Sequence, residues 1–528
     1  MNGINPALLI SQKSGRRCTF LTQPHHQPLF FDAIISLDKQ KQPPYTSKNR
    51  KQYLSNYQKI LVKSTMRKEH PHTDTGEPDR VCEQQSLDYG SAPRADALFR
   101  DPAFMENREI PVHRWVPWIA GFSARFVEDC FRSFLPACPA RRYRVLDPFA
   151  GVGTTLISAL QAGHNAVGFE INPYAALACR AKIEAVSLDL QQLDQAIAEY
   201  DYASRNGSRT AVGAIPAGFA SRIPFFSPQI EEQVHGFFNF LDRVAPQALV
   251  DIFKVAFGAV MVGFSNYTYE PSLSTRPGAG KPLIEQADVH GAVLAKLRKI
   301  RSDIVWLQSR RPSSDAPQGV VHLMSFMEAD RVLEPQCVDL AVTSPPYLNN
   351  YHYVRNTRPH LYWLGLMDSP NELRSLEQNN IGKFWQTVRA QGRIDITFED
   401  SALVEVLSAI RETRTDKGVY GGGGWANYAA SYFNDSYRFL EVLSRCLKPG
   451  GAAVIVVGNS IIQGHEIKVD QVLGRIAIQR GFTLERIEVL RTKRVGASIT
   501  KSAIRRGVTS QAHLYESAVV LRQAGATR

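Results

Sequence analysis

The sequence predicts an α/β protein whose sheet is mainly parallel and covered by helices. Three observations lead to this fold class. Short apolar runs alternate with helical patterns between residues 144 and 186, the same alternation returns after residue 320, and two loop motifs each follow a predicted strand. Strands that alternate with helices form βαβ units, and such units place their strands parallel in one sheet.

Each predicted element is bounded by turn residues or by a change of hydrophobic period. In chain order, the predictions are a helix within Trp115–Leu135, strand Arg144–Phe149, helix Thr154–Ala162, strand Ala166–Ile171, helix Pro173–Val186, helices Glu231–Val244 and Val289–Leu307, strands Val320–Phe326 and Val338–Thr343, helix Tyr428–Leu447, and strands Ala452–Gly458, Thr483–Leu490 and Glu516–Leu521. Helical patterning dominates residues 187–315, which we interpret as an insert between two halves of the sheet.

Composition narrows the class of protein and of partner. The chain has 528 residues, of which 44% are hydrophobic and 21% charged, so most of it is expected to fold into an enzyme-sized core. Its 62 Lys and Arg against 50 Asp and Glu give a net charge of +12, which favours a polyanionic partner. No apolar stretch approaches the roughly 18–20 residues that span a bilayer, and we expect a cytoplasmic protein.

Two further features of the composition concern metals and the N-terminus. The seven cysteines form no C-x-x-C pair, so reduced thiols and no metal site are expected. Residues 1–100 are rich in Gln, Pro, His, Ser and Lys and are predicted to form a disordered arm. Residues 1–65 carry ten Lys or Arg and two Asp, so this arm is basic.

The first motif is D-P-F-A-G-V-G-T-T, residues 147–155, between a predicted strand and a predicted helix. Gly151 and Gly153 allow a tight turn and a close approach of the backbone to a ligand, and the following helix offers free N–H groups. Glu170 ends the next strand, where a carboxylate can accept hydrogen bonds from ribose hydroxyls. Leu156 stands where a dinucleotide fingerprint needs its third glycine. The pattern therefore predicts an adenosine-containing ligand.

The second motif is T-S-P-P-Y, residues 343–347, at the carboxyl end of the strand Val338–Thr343. Ligands of doubly wound sheets bind outside the carboxyl ends of the strands, so this motif is expected to face the glycine loop. Pro345 and Pro346 lack N–H donors and leave carbonyl oxygens free, the Ser344 hydroxyl adds an acceptor, and Tyr347 offers a flat ring. These groups suit an exocyclic amine on a planar ring.

The two motifs together resemble those of the S-adenosylmethionine-dependent amino-methyltransferases of DNA, which act on cytosine N4 or adenine N6, commonly in restriction-modification systems. The resemblance covers about residues 101–186 and 316–528. It implies a Rossmann-like methyltransferase fold with a mixed, mainly parallel seven-stranded sheet. The cofactor half of the core would then be residues 101–186 and the catalytic half residues 316–528. The insert 187–315 would be a candidate target-recognition region, and residues 350–425 compete for that role.

The resemblance also implies roles for individual residues. Asp147 would lie near the ammonium group of S-adenosylmethionine, Phe149 would form a wall of its pocket, and Glu170 would hold its ribose. Ser325 stands where the family commonly has an acidic residue that contacts adenine, and Asp330 follows five residues later. The full set of implied cofactor-binding residues is Asp147, Pro148, Phe149, Gly151, Gly153, Thr154, Thr155, Glu170 and Ser325. The implied catalytic residues are Ser344, Pro345, Pro346 and Tyr347, with Tyr347 stacked on a flipped base.

The substrate implied by the resemblance is double-stranded DNA, with a cognate restriction endonuclease as the expected partner. A basic run between the last two predicted strands is interpreted as a phosphate-contacting loop. It consists of Arg491, Lys493, Arg494, Lys501, Arg505 and Arg506. The stretch Tyr420–Trp425, with four consecutive glycines, is interpreted either as a mobile loop near the site or as a plain linker.

The sequence leaves several functions open. The serine that opens S-P-P-Y resembles the cytosine-N4 enzymes more than the adenine-N6 enzymes, which more often have Asp or Asn there. RNA guanine-N2 methylation and a catalytically silent DNA-binding subunit are also compatible with the motifs. Cytosine C5 chemistry is disfavoured, because it needs a nucleophilic cysteine, usually after a proline, and no cysteine here follows a proline.

Overall fold

The computed structural model describes residues 98–118, 121–138, 141–206, 214–216, 218–269, 272–310, 316–349, 351–494 and 513–524. The predicted N-terminal arm, residues 1–100, lies almost entirely outside these residues. The described strands are β1 Arg144–Asp147, β2 Asn165–Phe169, β3 Tyr267–Tyr269, β4 Leu273–Thr275, β5 Gly319–His322, β6 Val338–Thr343, β7 Leu447–Gly458, β8 Ser460–Ile462, β9 His465–Ile467, β10 Phe482–Arg494 and β11 His513–Gln523.

The α-helices of the described residues follow the predicted helices closely and include several that were not predicted from the sequence. They are α1 Ala124–Phe134, α2 Thr154–Gln161, α3 Pro173–Glu184, α4 Leu190–Asn206, α5 Pro228–Leu241, α6 Gln247–Val260, α7 Val289–Gln308, α8 Tyr353–Trp363, α9 Pro370–Asn379, α10 Trp385–Val388, α11 Ser401–Glu412, α12 Gly422–Cys446 and α13 Val469–Gln479.

Seven of the described strands form one sheet, in the order β10-β11-β7-β6-β1-β2-β5. The five strands from β7 to β5 are mutually parallel, while β11 pairs antiparallel with both β7 and β10. The prediction of a Rossmann-like, mixed and mainly parallel seven-stranded sheet is therefore confirmed. The short pairs β3–β4 and β8–β9 are separate antiparallel hairpins.

The parallel strands bring the functional motifs to one edge. Asp147 at the end of β1 pairs in register with Gly168 near the end of β2, and Phe169 pairs with His322 at the end of β5. On the other side of β1, β6 runs in the same direction and ends at Thr343. The loops that follow these four strands consequently emerge at the same edge of the sheet.

Both faces of the sheet are buried. Successive residues of a strand point to opposite faces, so neighbouring residues belong to different hydrophobic clusters. Val145 and Val342 belong to one hydrophobic cluster, which also includes residues of α1 to α7. Leu146 and Ala341 belong to a second cluster, which includes residues of α12 and α13. The helices α4 to α7 confirm the helical character of residues 187–315, whereas the domain boundaries at 186 and 315 stay predictions.

The helix predicted within Trp115–Leu135 occupies only the second half of that segment. Val116 is extended, with φ −123° and ψ 126°, because it precedes Pro117, and a residue before proline is disfavoured in the helical region. Helix α1 starts only after Ser123, whose side chain accepts a hydrogen bond from the Phe126 N–H.

The glycine run at 421–424 is not a loop, contrary to the sequence interpretation. Gly422, Gly423 and Gly424 form the first turn of α12, and Trp425 is 5% exposed and stacks on Trp385 at 4.7 Å between ring centroids. A Cβ on Gly422 would lie 1.7 Å from the Ile410 carbonyl oxygen. These glycines therefore serve close backbone packing between α11 and α12.

The segment Lys448–Gly451, between the predicted helix Tyr428–Leu447 and the predicted strand Ala452–Gly458, lies within β7. The register of β7 against β6 shifts here, from Val338 opposite Leu447 to Leu340 opposite Ala452. Gly450, with φ +75°, supplies the left-handed residue that this irregularity needs.

Candidate functional site

The glycine loop is held in shape by its own backbone and by the neighbouring strand. The Gly153 N–H donates to the Ala150 carbonyl at 2.8 Å, and the Ala150 N–H donates to the Phe169 carbonyl at 2.9 Å. Gly151 and Gly153 have φ +51° and +87°, the left-handed region that favours glycine. A Cβ on Gly153 would lie 2.7 Å from the Cys179 sulfur, so glycine is required there for space as well.

Asp147 lies beneath the loop rather than in an open cavity. Its side chain is 1% exposed, and its carboxylate accepts hydrogen bonds from the Thr343 hydroxyl at 2.6 Å and the Phe149 N–H at 3.0 Å. Burial raises the pKa of Asp147 to about 6. This placement differs from the expectation of a carboxylate next to the cofactor ammonium, because the group is enclosed between β1 and β6.

The two threonines that follow the loop are also buried. Thr155 donates its hydroxyl to the Val342 carbonyl of β6 at 3.2 Å, and Thr154 is 6% exposed. Two hydrogen bonds thus join the D-P-F-A-G-V-G-T-T motif to the end of β6, one between Asp147 and Thr343 and one between Thr155 and Val342.

Glu170 lies at the end of β2 and joins the loop to the start of α3. One carboxylate oxygen accepts from the Gly151 N–H at 2.8 Å, and the other from the Asn172 N–H at 2.7 Å. Burial raises the pKa of Glu170 to about 7, although both N–H groups lower it. A carboxylate has about four acceptor positions, so two remain for hydroxyl donors.

A pocket opens between the four connections at this edge, and its void, mouth included, is about 760 Å³. The predicted site residues among its lining are Pro148, Phe149, Gly151, Glu170, Ser325, Ser344, Pro345 and Pro346. The tertiary structure thus brings residues from after β1, β2, β5 and β6 into one cavity. Asp147, Gly153, Thr154, Thr155 and Tyr347 are outside its lining.

Ser325 lies in the pocket wall and Asp330 does not. The Ser325 side chain accepts a hydrogen bond from the Met327 N–H and precedes the short 3₁₀ helix Phe326–Arg331. Asp330 is exposed within that helix. The loop after β5 therefore does not place Asp330 at the pocket.

Tyr347 is set behind the S-P-P turn rather than in the pocket lining. Its ring lies beside Gly458 at the end of β7, where an added Cβ would be 3.3 Å from the tyrosine ring. Burial raises its pKa well above 10, and contact with the Ser344 side chain offsets only part of that. The expected stacking on a base would require this ring to turn toward the pocket.

Several residues of the pocket were not predicted from the sequence. Trp118 lies before α1, Tyr353 and Val354 are in α8, and Leu376, Asn380 and Ile381 belong to α9 and the segment after it. Trp118 and the residues in and after α9 lie far from both motifs along the chain, so no local pattern marked them, whereas Tyr353 and Val354 closely follow the second motif. The aromatic character of residues 347–363 was the one signal available in the sequence.

A buried lysine supports the glycine loop from below. Lys182 of α3 is fully buried and donates from Nζ to the Val152 carbonyl at 2.8 Å. Burial lowers the pKa of Lys182 to about 7. This residue was not predicted from the sequence, because a lysine in a helix is normally exposed.

The predicted DNA-contacting residues are only partly described. Arg491 is in β10 with its side chain 14% exposed, and it forms an ion pair with Glu516 of β11 at 2.7 Å. Arg491 therefore lies in a strand and not in the expected loop, with its guanidinium against a carboxylate, and its contact with phosphate stays a prediction. Lys493 and Arg494 end β10, and Lys501, Arg505 and Arg506 lie outside the described residues.

Metal-binding clusters and membrane-spanning helices are both missing from the described part of the chain. It contains no group of three or more His, Cys, Asp or Glu placed to hold a metal ion. None of its helices is long and apolar enough to cross a membrane. The five cysteines among these residues are free thiols.

Comparison with known proteins agrees with the character of this site. Residues 17–179 match a family model described as DNA methylase, a span that includes the glycine loop and Glu170 but not Ser344. The chain is 24% identical to the Type II methyltransferase M.BsoBI of Geobacillus stearothermophilus over 435 residues, which cover 75% of this chain and 83% of that protein. It is also 24% identical to the Type II methyltransferase M.AvaI of Anabaena variabilis over 420 residues, 75% of this chain and 84% of that protein.

Together these similarities support a DNA amino-methyltransferase of the restriction-modification type. The methyl donor that they imply is S-adenosylmethionine. Among solved structures, the rRNA methyltransferase aviRa of Streptomyces viridochromogenes aligns over 77% of this chain and 87% of its own, with 9% identity. Its TM-score of 0.27 is too low to assign a fold.

Proposed function

We propose that this protein transfers a methyl group from S-adenosylmethionine to the exocyclic N4 amine of cytosine in duplex DNA. The observation that carries the proposal is the pocket at the carboxyl edge of the sheet. It is lined both by the glycine loop with Glu170 and by Ser344, Pro345 and Pro346. A cofactor site and an amine-accepting turn thus open into the same cavity.

The residues present fit the cofactor at three points. Glu170 keeps acceptor capacity for two ribose hydroxyls after its bonds to Gly151 and Asn172. Gly151 and Phe149 border the pocket, where the backbone is free of a Cβ and an aromatic wall is available. Ser325 provides a hydroxyl where the adenine amine would lie. When bound, S-adenosylmethionine supplies a sulfonium-activated methyl group.

Asp147 is proposed to act through the loop and not by direct contact with the cofactor. Its hydrogen bonds to Thr343 and Phe149 hold the D-P-F turn against β6. A fixed separation between the glycine loop and the S-P-P turn is what an in-line transfer requires, since catalysis here depends mainly on alignment.

Ser344 and Pro345 are proposed to hold the target amine. The Ser344 hydroxyl and the Pro345 carbonyl accept its two hydrogens, which orients the nitrogen lone pair and stabilises the positive charge that develops on nitrogen. The proton is then lost to solvent, so the mechanism needs no covalent bond to the protein. Because the amine of a paired base is inaccessible in a duplex, the base must be flipped into the pocket.

The choice of cytosine over adenine rests on the serine that opens the S-P-P-Y motif, as in the cytosine-N4 enzymes that it resembles. The net charge of +12 is consistent with a nucleic-acid substrate. A cognate restriction endonuclease is proposed as the biological partner, in keeping with the Type II methyltransferases that the chain is similar to.

The deciding experiment is transfer of tritiated methyl from S-adenosylmethionine to unmethylated duplex DNA and to bulk RNA, followed by mass identification of the modified nucleoside. We expect N4-methylcytosine in DNA, and its loss in Ser344→Ala. Ser444→Ala is the matched control, because this helix hydroxyl bonds only its own helix carbonyl, that of Glu441, and is outside the pocket lining.

Each different outcome removes a defined part of the proposal. N6-methyladenine in DNA would overturn only the choice of base. Label confined to RNA would overturn the DNA substrate. Cofactor binding without transfer to any nucleic acid would favour a catalytically silent DNA-binding subunit.

A further inference from the structure

One buried polar side chain in the pocket has no task in the site described so far. Asn380 lines the pocket and is 8% exposed. Within the described residues its side-chain amide makes no hydrogen bond, whereas buried side-chain polar groups nearly always have a partner. Its polar atoms are not fully enclosed, so the amide is open to the pocket, where a ligand can reach it.

Asn380 is held in a defined position. It directly follows α9 as the C-cap residue and has an extended backbone, with φ −71° and ψ 133°. Leu376 before it and Ile381 after it are each 7% exposed and also line the pocket. Further on, Phe384 stacks on His352 at 4.0 Å between ring centroids. The amide is thus presented by a segment that is packed on both sides.

Two neighbouring polar side chains of the pocket, Asn172 and Ser325, already have hydrogen-bond partners. Asn172 donates to Thr357 and accepts from the N–H groups of Tyr174 and Ala175. The Ser325 hydroxyl accepts from the Met327 N–H. Asn379, the remaining lining amide, is exposed and can bond to water.

The chemistry of the proposed substrate supplies a partner for this amide. In both cytosine and adenine the exocyclic amine stands next to a ring nitrogen with a free lone pair, N3 in cytosine and N1 in adenine. Pro345 has no donor for that nitrogen, and the Ser344 hydroxyl, which is in contact with the Tyr347 side chain, is assigned above to accept from the amine. The side-chain N–H₂ group of asparagine is such a donor.

We propose that Asn380 recognises the flipped base by donating a hydrogen bond from its side-chain amide to the ring nitrogen next to the target amine. The inference rests on the proposed methylation of an exocyclic amine. Asn380 is a base-recognition residue: it aligns the ring and selects bases that carry an acceptor at this position.

The test uses a duplex that carries the methylated site mapped in the preceding experiment. In a second duplex, the target base is the deaza analogue in which C–H replaces that ring nitrogen. We compare kcat/KM of the wild type and Asn380→Ala on both duplexes. Relative to the wild type on the natural duplex, kcat/KM should fall about tenfold for the wild type on the analogue. It should also fall about tenfold for Asn380→Ala on the natural duplex. For this variant, replacing the natural duplex with the analogue should lower kcat/KM by less than a further twofold.

This design separates the hydrogen bond from the altered reactivity of the analogue, because both proteins experience the latter equally. Asn380→Asp, which keeps the shape and replaces the donor with a negatively charged acceptor, should lose at least as much activity on the natural duplex as Asn380→Ala. Gln378→Ala, an exposed amide on α9 outside the pocket lining, is the matched control and should match the wild type. Calorimetric binding of S-adenosylmethionine should be unchanged in all three variants.

Equal losses on the analogue in wild type and Asn380→Ala would overturn the inference and leave the proposed function intact. Loss of cofactor binding in Asn380→Asp would also overturn it, since the residue would then serve the cofactor. If Asn380→Ala does not fold, the wild type still tests the inference. Equal rates of methylation of the analogue and the natural duplex by the wild type would overturn it. Absence of methylation on any DNA would instead overturn the proposed function.

Discussion

Thr343 donates its hydroxyl to the Asp147 carboxylate at 2.6 Å, which joins the last residue of β6 to the last residue of β1. These strands are neighbours in the sheet, and each leads directly into one of the two functional motifs. The bond therefore couples the glycine loop to the S-P-P turn. Its loss should alter both stability and the geometry of the pocket.

Thr343→Val tests this coupling with little change of shape. The buried Asp147 carboxylate would lose a hydrogen-bond donor, so the free energy of unfolding should fall by about 1–3 kcal/mol. Thr492→Val, at an exposed position of β10, should change it by less than about 0.5 kcal/mol. Urea denaturation of both variants measures the difference, and equal midpoints would show that the bond contributes nothing.

Gly153→Ala should weaken cofactor binding, and Gly163→Ala should not. Both glycines have left-handed φ angles, +87° and +82°, so both substitutions incur a backbone cost of about 1–2 kcal/mol. Only at Gly153 does the new methyl meet another atom, the Cys179 sulfur at 2.7 Å, while the space at Gly163 is open. Calorimetric titration with S-adenosylmethionine should show at least a tenfold loss for Gly153→Ala alone.

The double variant Gly153→Ala with Cys179→Ala separates the two effects. Removing the sulfur should recover part of the lost affinity. If the double variant binds no better than Gly153→Ala, strain of the backbone rather than contact with Cys179 explains the loss.

Cofactor affinity should decrease as the pH falls below about 7. Burial raises the pKa of Glu170 to about 7, and ribose hydroxyls bind its ionised form, so binding in acid must first remove a proton. The dissociation constant should rise about tenfold per pH unit below that value and level off above it. Glu170→Gln should bind more weakly and lose this dependence, and an unchanged pH profile in the variant would assign the titration to another group.

Lys182 should make stability increase with pH in the alkaline range. Its folded pKa of about 7 is below the usual 10.5, so between these values the unfolded chain binds more protons than the folded one. The free energy of unfolding therefore rises from pH 7 toward 10.5 through this group. In Lys182→Met the rise should be smaller, as measured by denaturation across the range, whereas Lys299→Met at an exposed position should follow the wild type. Parallel curves for all three proteins would rule the effect out.

Arg491→Ala should weaken the fold rather than the contact with DNA. The Arg491 guanidinium pairs with Glu516, and removing it leaves a half-buried carboxylate without its partner, at a cost of about 1–3 kcal/mol. A phosphate contact would instead lower the slope of log affinity against log salt by about one. We expect that slope to be unchanged in Arg491→Ala and reduced in Lys501→Ala, and a reduced slope for Arg491→Ala would restore it as a DNA contact.

Local patterns were sufficient for the elements that carry the motifs. The strand ending at Thr343 was predicted to the residue, and the strand before Asp147 and the helix after Gly153 within two residues. Their signals are local, since an apolar run, a glycine turn and an apolar helical face lie within ten residues of one another. Where tertiary contact decided the conformation, prediction failed, as at Gly422, which is helical because its backbone packs against Ile410.

The same division applies to the site. Sequence alone predicted that a glycine loop, the Glu170 carboxylate and the S-P-P turn would each follow a parallel strand, because these motifs consist of residue types at short spacing. Only the tertiary structure decided that Asp147 faces Thr343, that Tyr347 lies behind the turn, and that Asn380 reaches the same cavity. Burial and contact between residues distant along the chain set these features, and no local pattern records them.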